Sequence, residues 1–142
     1  MLADLKRVVA GELDPPPVAA LVGMRLVEIE EGRAVFELDA GPQHASPLGT
    51  LHGGILCDVA DAAMGCAHAS CLQAGESFTT LELKINFLKP VWRGRLTAVA
   101  RVVKAGRTVG LVDCQITDES GSLVAFATST CLTLRGEMAE GR

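Results

Sequence analysis

The chain has 142 residues, 49% of them apolar, and a net charge of −4, which suits one core in one domain and disfavours nucleic acid as a partner. No segment offers about 20 uninterrupted apolar residues, so no membrane-spanning helix is expected. The five cysteines, at 57, 66, 71, 114 and 131, are odd in number and show no CxxC or His-spaced pair; they read as small buried hydrophobes rather than a disulfide framework or a zinc site.

The N-terminal MLADLKRVVAGEL alternates charge with apolar residues and lacks a signal-peptide core, so a cytoplasmic protein is expected. Pro15, Pro16 and Pro17 interrupt any helix, and Val18 to Val22 is expected to make a brief turn, so residues 1–22 read as a helical and connector segment. Arg25 to Glu30 and Arg33 to Asp39 alternate apolar and polar residues about a Glu31-Gly32 turn, which predicts a hairpin. Gly41 to Leu51 is a loop, and Gly53 to about Cys71 is the one long helix.

Three strand-like runs follow. In the first, Leu81, Leu83, Ile85 and Phe87 share a face opposite Glu82, Lys84 and Asn86, and Pro90 ends the run. Leu96 to Val103 turns at Ala105-Gly106 into Thr108 to Thr117, and Asp118 to Gly121 leads into Leu123 to Leu134. The tail from Gly136 to Arg142 reads as frayed. This order predicts an α+β fold, an antiparallel sheet packed on a single helix. The small residues of that helix, Ala60, Ala62, Ala63, Gly65, Ala67 and Ala69, let a curved sheet approach closely.

Asp58, Asp61, Gly65 and His68 recur at helical spacing and form one stripe. Pattern alone makes Asp58 and His68 a solvated face, and His44 and His68 each read as structural or exposed. Asp61 stands apart because His52-Gly53-Gly54 opens the same helix. Two glycines there expose N–H donors at the positive end of the helix dipole. A thioester carbonyl in that position would be polarised, and a carboxylate could attack its carbon or activate a water. Three histidines with scattered acids make no metal constellation, and the glycine pair is no nucleotide loop, so neither metal nor cofactor is expected.

GTLHGG, the aspartate nine residues after the histidine, and TTLELKINFLKPV resemble the hotdog-fold acyl-CoA thioesterases of the phenylacetate-pathway (PaaI-like) type, from about Gly23 to Leu134. The resemblance implies a sheet wrapped around one central helix over a single domain, residues 1–142. It also implies that Asp61 is the catalytic carboxylate, Gly53 the carbonyl-polarising donor and His52 an orienting group. Thr80 falls where relatives often place a serine or threonine near the reacting water. Two positions depart from the pattern: Ser46 where asparagine or glutamine is common, and Gly65 where some relatives carry a threonine or serine.

Gly54 and Asp61 are seven residues apart, roughly 10 Å along a helix, too far to touch one carbonyl. The expected site therefore lies at a homodimer interface, and the resemblance implies the same arrangement, often as a dimer of dimers. From Thr79 to Arg107 the chain carries seven bases against one acid, Glu82. Lys89, Lys104 and Arg107 are the candidates for docking the anionic nucleotide of CoA. The expected reaction is hydrolysis of an acyl- or aryl-acyl-CoA to acid and CoA. Its rivals are a hydratase or dehydratase using His52 with an acid, and a non-catalytic acyl-CoA-binding protein.

Overall fold

A computed structural model describes residues 1–141. The N-terminal stretch forms helix α1 (Leu2–Val9), and the third proline starts a second helix, α2 (Pro17–Val22), where a brief turn is expected from sequence. Pro17 occupies the first helical position, where its missing N–H leaves nothing unsatisfied, and Gly23 at φ 83° closes the helix in the left-handed conformation.

Strands β1 (Met24–Glu30) and β2 (Arg33–Ala40) pair as the predicted hairpin, with Gly32 at φ 73° in the turn. A loop holding a short 3-10 turn (Pro42–His44) leads to α3 (Gly53–Ala69). Strands β3 (Ser77–Phe87), β4 (Gly94–Ala105), β5 (Val109–Asp118) and β6 (Leu123–Leu134) complete the chain. The tail expected to fray makes one further 3-10 turn over Gly136–Ala139, and Arg142 lies outside the described residues.

All six strands join one antiparallel sheet in the order β1-β2-β4-β5-β6-β3, and α3 packs against every one of them. This is the hotdog arrangement: the sheet curls around a single helix. Leu38, Leu96, Val112, Ile116 and Val124 from the sheet are fully buried with Val59 and Met64 of the helix. Each such side chain contributes about 1.5–3 kcal/mol relative to exposure. Ala60, Ala63, Gly65 and Ala67 are buried at the contact, so the small-residue run does bring helix and sheet close. Gly65 is fitted to Phe78, whose Cζ would lie 3.2 Å from a Cβ at that position.

One irregularity decides how β3 faces the helix. The β3–β6 register shifts between Thr80 and Glu82, a bulge centred on Leu81. The single alternating face predicted from Leu81 to Phe87 is thereby corrected. Leu83 and Ile85 pack on the core, Leu81 is 55% exposed, and Phe78 and Thr80 before the bulge also turn inward. A bulge adds one residue to one strand and so exchanges which side chains face in. The strand has only β6 as a neighbour, leaving its outer edge of N–H and C=O groups unpaired by sheet.

Candidate active site

The Leu81 bulge brings two of the sequence-predicted residues together. Thr80 Oγ1 donates a 3.0 Å hydrogen bond to Asp61 Oδ1. The hydroxyl fixes the carboxylate orientation while leaving its second oxygen free. Both groups lie in the wall of an apolar cavity of about 340 Å³. Leu5 and Val8 of α1, Met24 of β1, Phe36 of β2 and Phe78 of β3 supply other parts of that wall. A carboxylate at the rim of an apolar chamber is suited to meet a reacting carbonyl whose hydrocarbon tail lies inside.

Cys66 borders the same cavity, yet burial, with Asp61 close by, pushes its thiol up to about 11. It stays protonated at neutral pH, which makes it a poor nucleophile. Asp58, also on the wall, is exposed as expected.

The N-terminus of α3 forms the second element. His52 is its cap: Nδ1 accepts from Gly54 N–H at 2.9 Å. The neutral ring therefore carries its proton on Nε2, which is left to donate outward. Gly54, expected from sequence to share in polarising a carbonyl, has its N–H engaged by this cap. The Ile55 N–H is bonded to His52 C=O. Among the described residues, the Gly53 N–H has no acceptor. The glycines fit local contacts: a Cβ on Gly53 would lie 2.8 Å from Phe87 Cζ, and one on Gly54 would lie 2.9 Å from His52 Nδ1. Among the described residues of one chain, His52 has no carboxylate partner.

Ser46 closes its own loop. Its hydroxyl accepts from Leu48 N–H at 3.2 Å and lies 3.3 Å from Thr50 Oγ1. The short side chain stabilises the turn before Leu51 and does not reach the Asp61–Thr80 pair.

Gly53 and Asp61 stand in different cavities. Gly53 lines a second one, of about 420 Å³, with Phe87, Lys89 and Val91. Eight residues of helix, about 12 Å, separate the donor from the carboxylate. Within one chain the Gly53 N–H and the Asp61 carboxylate therefore do not meet.

The basic residues are likewise divided. Lys89 lies beside Gly53 at the start of α3 and forms an ion pair with Asp118. That ammonium, helped by Ser120, holds the Asp118 carboxyl well below the usual carboxylate range. Lys104 and Arg107 flank the β4–β5 turn, near where Gly110 meets His68 at the far end of the helix. Both are exposed, and neither has an ion-pair partner among the described residues. The 17-residue helix, about 25 Å long, keeps Lys89 apart from the other two within one chain.

His68 corrects the sequence reading of a solvated stripe. It is 3% exposed, with Nε2 3.2 Å from Thr133 Oγ1, its ring edge-on to Phe78, and Nδ1 buried without a partner. The stripe dips into the protein here because β3 and the β4–β5 hairpin close over the last helical turn. Its charge suits the end of a helix, but burial lowers its pKa below the ordinary value, opposed by Glu76. His44 is buried too, bonding Val22 C=O through Nε2.

With a hotdog sheet, a carboxylate–threonine pair and a capped Gly-Gly helix start in place, the class is settled: residues 48–125 match the thioesterase superfamily, and the chain belongs to that family of thioester hydrolases, within its PaaI-like type. The individual relatives agree. A putative esterase of Saccharolobus solfataricus is 35% identical, over 79% of this chain and 79% of its own length. The 1,4-dihydroxy-2-naphthoyl-CoA hydrolase of Listeria monocytogenes is 29% identical, over 77% of this chain and 89% of its own. Among solved structures, the E. coli PaaI protein from the phenylacetic acid degradation operon superposes with a TM-score of 0.84 at 25% identity, covering 95% of this chain and 96% of that one.

Proposed function

We propose that the protein hydrolyses the thioester of an acyl- or aryl-acyl-CoA to free acid and CoA, at a site completed by two copies of the chain. The observation that carries this reading is the division of the site. The Asp61–Thr80 pair faces an apolar cavity, while the free Gly53 N–H lies about 12 Å along the same helix in another. The exposed edge of β3 offers the means of joining them. Phe87 lies over Gly53, and Thr80 lies over Asp61. Two β3 strands pairing antiparallel about an axis between Leu83 and Lys84 would set Phe87 of one copy opposite Thr80 of the other. Gly53 would then face the partner's Asp61, with Lys89 on the same side for the nucleotide phosphates.

In this arrangement Gly53 N–H polarises the carbonyl oxygen, and His52 Nε2–H lies beside it as an orienting donor. Asp61 either attacks the carbonyl carbon or takes a proton from the water that does. In both routes negative charge builds on the carbonyl oxygen and the C–S bond breaks, releasing CoA as the thiol. Thr80 keeps the carboxylate aimed. The listerial relative, named as a naphthoyl-CoA hydrolase, supports an aromatic acyl group as one candidate.

Thiol release from a panel of acyl-CoAs tests the chemistry: wild type is expected to be active and Asp61→Asn to lose orders of magnitude while remaining folded. Mixing Asp61→Asn with Gly53→Pro subunits tests the shared site. Each heterodimer rebuilds one intact site of two, so a random mixture should recover about one quarter of wild-type activity. No recovery despite demonstrated subunit exchange rejects the two-chain arrangement.

A further inference from the structure

Residues 1–13 are attached to the rest of the protein in an unusual way. Every hydrogen bond recorded for them stays within the segment, as in Gly11 N–H to Val8 C=O and Leu13 N–H to Arg7 C=O. Their ion pairs are internal as well: the Met1 amino group with Asp4, and Arg7 with Asp4 and Glu12. Among the described residues, α1 is therefore held only by apolar contact. Leu2 and Leu5 pack part-buried on the core, and no residue of α1 is fully buried. A helix of eight residues is marginal alone in water, so its helical form depends on that contact.

The same apolar side forms a wall of the cavity that holds Asp61. Leu5 and Val8, followed by Pro15 and Pro16, close the chamber against Asp61 and Thr80 of α3 and β3. A group entering the chamber meets α1 directly, and a group too large for it displaces α1 before anything else, because no polar bond ties the helix down.

We propose that α1 is the acyl-specificity element of the enzyme, a detachable apolar cover whose Leu5 and Val8 contact the acyl group and set its size. This rests on the acyl-CoA reading above and adds to it a substrate class. At roughly 30 Å³ for each water-sized group, a cavity of about 340 Å³ holds about eleven methylene-sized groups. That describes a medium-length alkyl chain or one substituted aromatic ring. The acyl group is also uncharged, since Asp58 and Asp61 on the wall would repel an anionic tail.

The test is kcat/KM for thiol release across straight-chain esters from acetyl- to palmitoyl-CoA, with phenylacetyl-CoA and adipoyl-CoA alongside. Wild type should peak at medium length and reject the adipoyl ester. Leu5→Trp and Val8→Trp reduce the chamber and should lower the ratio of decanoyl to butanoyl activity by about tenfold or more. Leu5→Ala enlarges it and should raise activity on myristoyl-CoA relative to octanoyl-CoA, which provides a reading if the tryptophan variants do not fold. Ala3→Trp, on the exposed side of α1, should leave the profile unchanged. A profile of identical shape in wild type, Leu5→Ala and a folded tryptophan variant overturns the role of α1 while leaving the hydrolase reading intact. Absence of thiol release from every ester by wild type overturns both.

Discussion

Replacing Gly53 separates the chemistry of its N–H from the space around it. Proline removes the donor, and the backbone tolerates it: Gly53 is the first residue of α3, where φ near −65° is already required. His52 sits at φ −66°, ψ 133°, the extended region that a following proline demands. The cost of either substitution lies at Phe87, whose Cζ would be 2.8 Å from the new Cβ. That ring belongs to a residue 55% exposed, so it can move aside. Alanine at the same position adds the same Cβ and keeps the N–H. The ratio of kcat between Gly53→Ala and Gly53→Pro thus isolates the donor. Losing one oxyanion donor costs about 10²–10³ in kcat, or roughly 2.7–4 kcal/mol, and the proline variant should fall below the alanine variant by that factor. Thiol release under saturating acyl-CoA, with thermal unfolding to verify the fold, makes the comparison. Equal kcat values in two folded variants would refute the assignment of the free N–H.

Thr80→Val keeps the side-chain shape but removes the hydrogen bond to Asp61; a bond to a carboxylate at a part-exposed site supports about a tenfold loss in kcat/KM, with Thr80→Ser close to wild type. Burial lowers the His68 pKa from its ordinary 6.5, so below that pH the unfolded chain binds more protons than the folded one. Stability should be full above about pH 6.5 and decline as pH falls through it, and urea midpoints for wild type against His68→Gln should show the slope diminished in the variant. Gly110→Ala would place a Cβ 2.6 Å from His68 Cε1 and Nδ1, on a ring with no room to retreat. It should cost about 1–3 kcal/mol in chemical unfolding.

Several of these residues were legible in the sequence and others were not, for identifiable reasons. The Glu31-Gly32 hairpin, the single long helix and the three late strands follow from local signals: a glycine at positive φ, a helical run of small apolar residues, and period-two alternation. The separation of Asp61 from the glycine pair follows from spacing along one helix, since that distance is fixed once the helix exists. Alternation alone put Leu81 on one face with Leu83, Ile85 and Phe87. The bulge reverses this, and a bulge arises from pairing with a strand about fifty residues away in the chain.

The amino-acid sequence by itself thus determined the elements and the separation of carboxylate from donor, because helix and strand geometry are properties of consecutive residues. Tertiary structure decided which groups remain available. The cap at His52 takes Gly54 N–H and leaves Gly53, β3 and the β4–β5 hairpin bury His68, and α1 folds back to wall the chamber beside Asp61. Each depends on distant segments meeting across a curled sheet, where burial and competition for hydrogen-bond partners are settled only once every strand is in register.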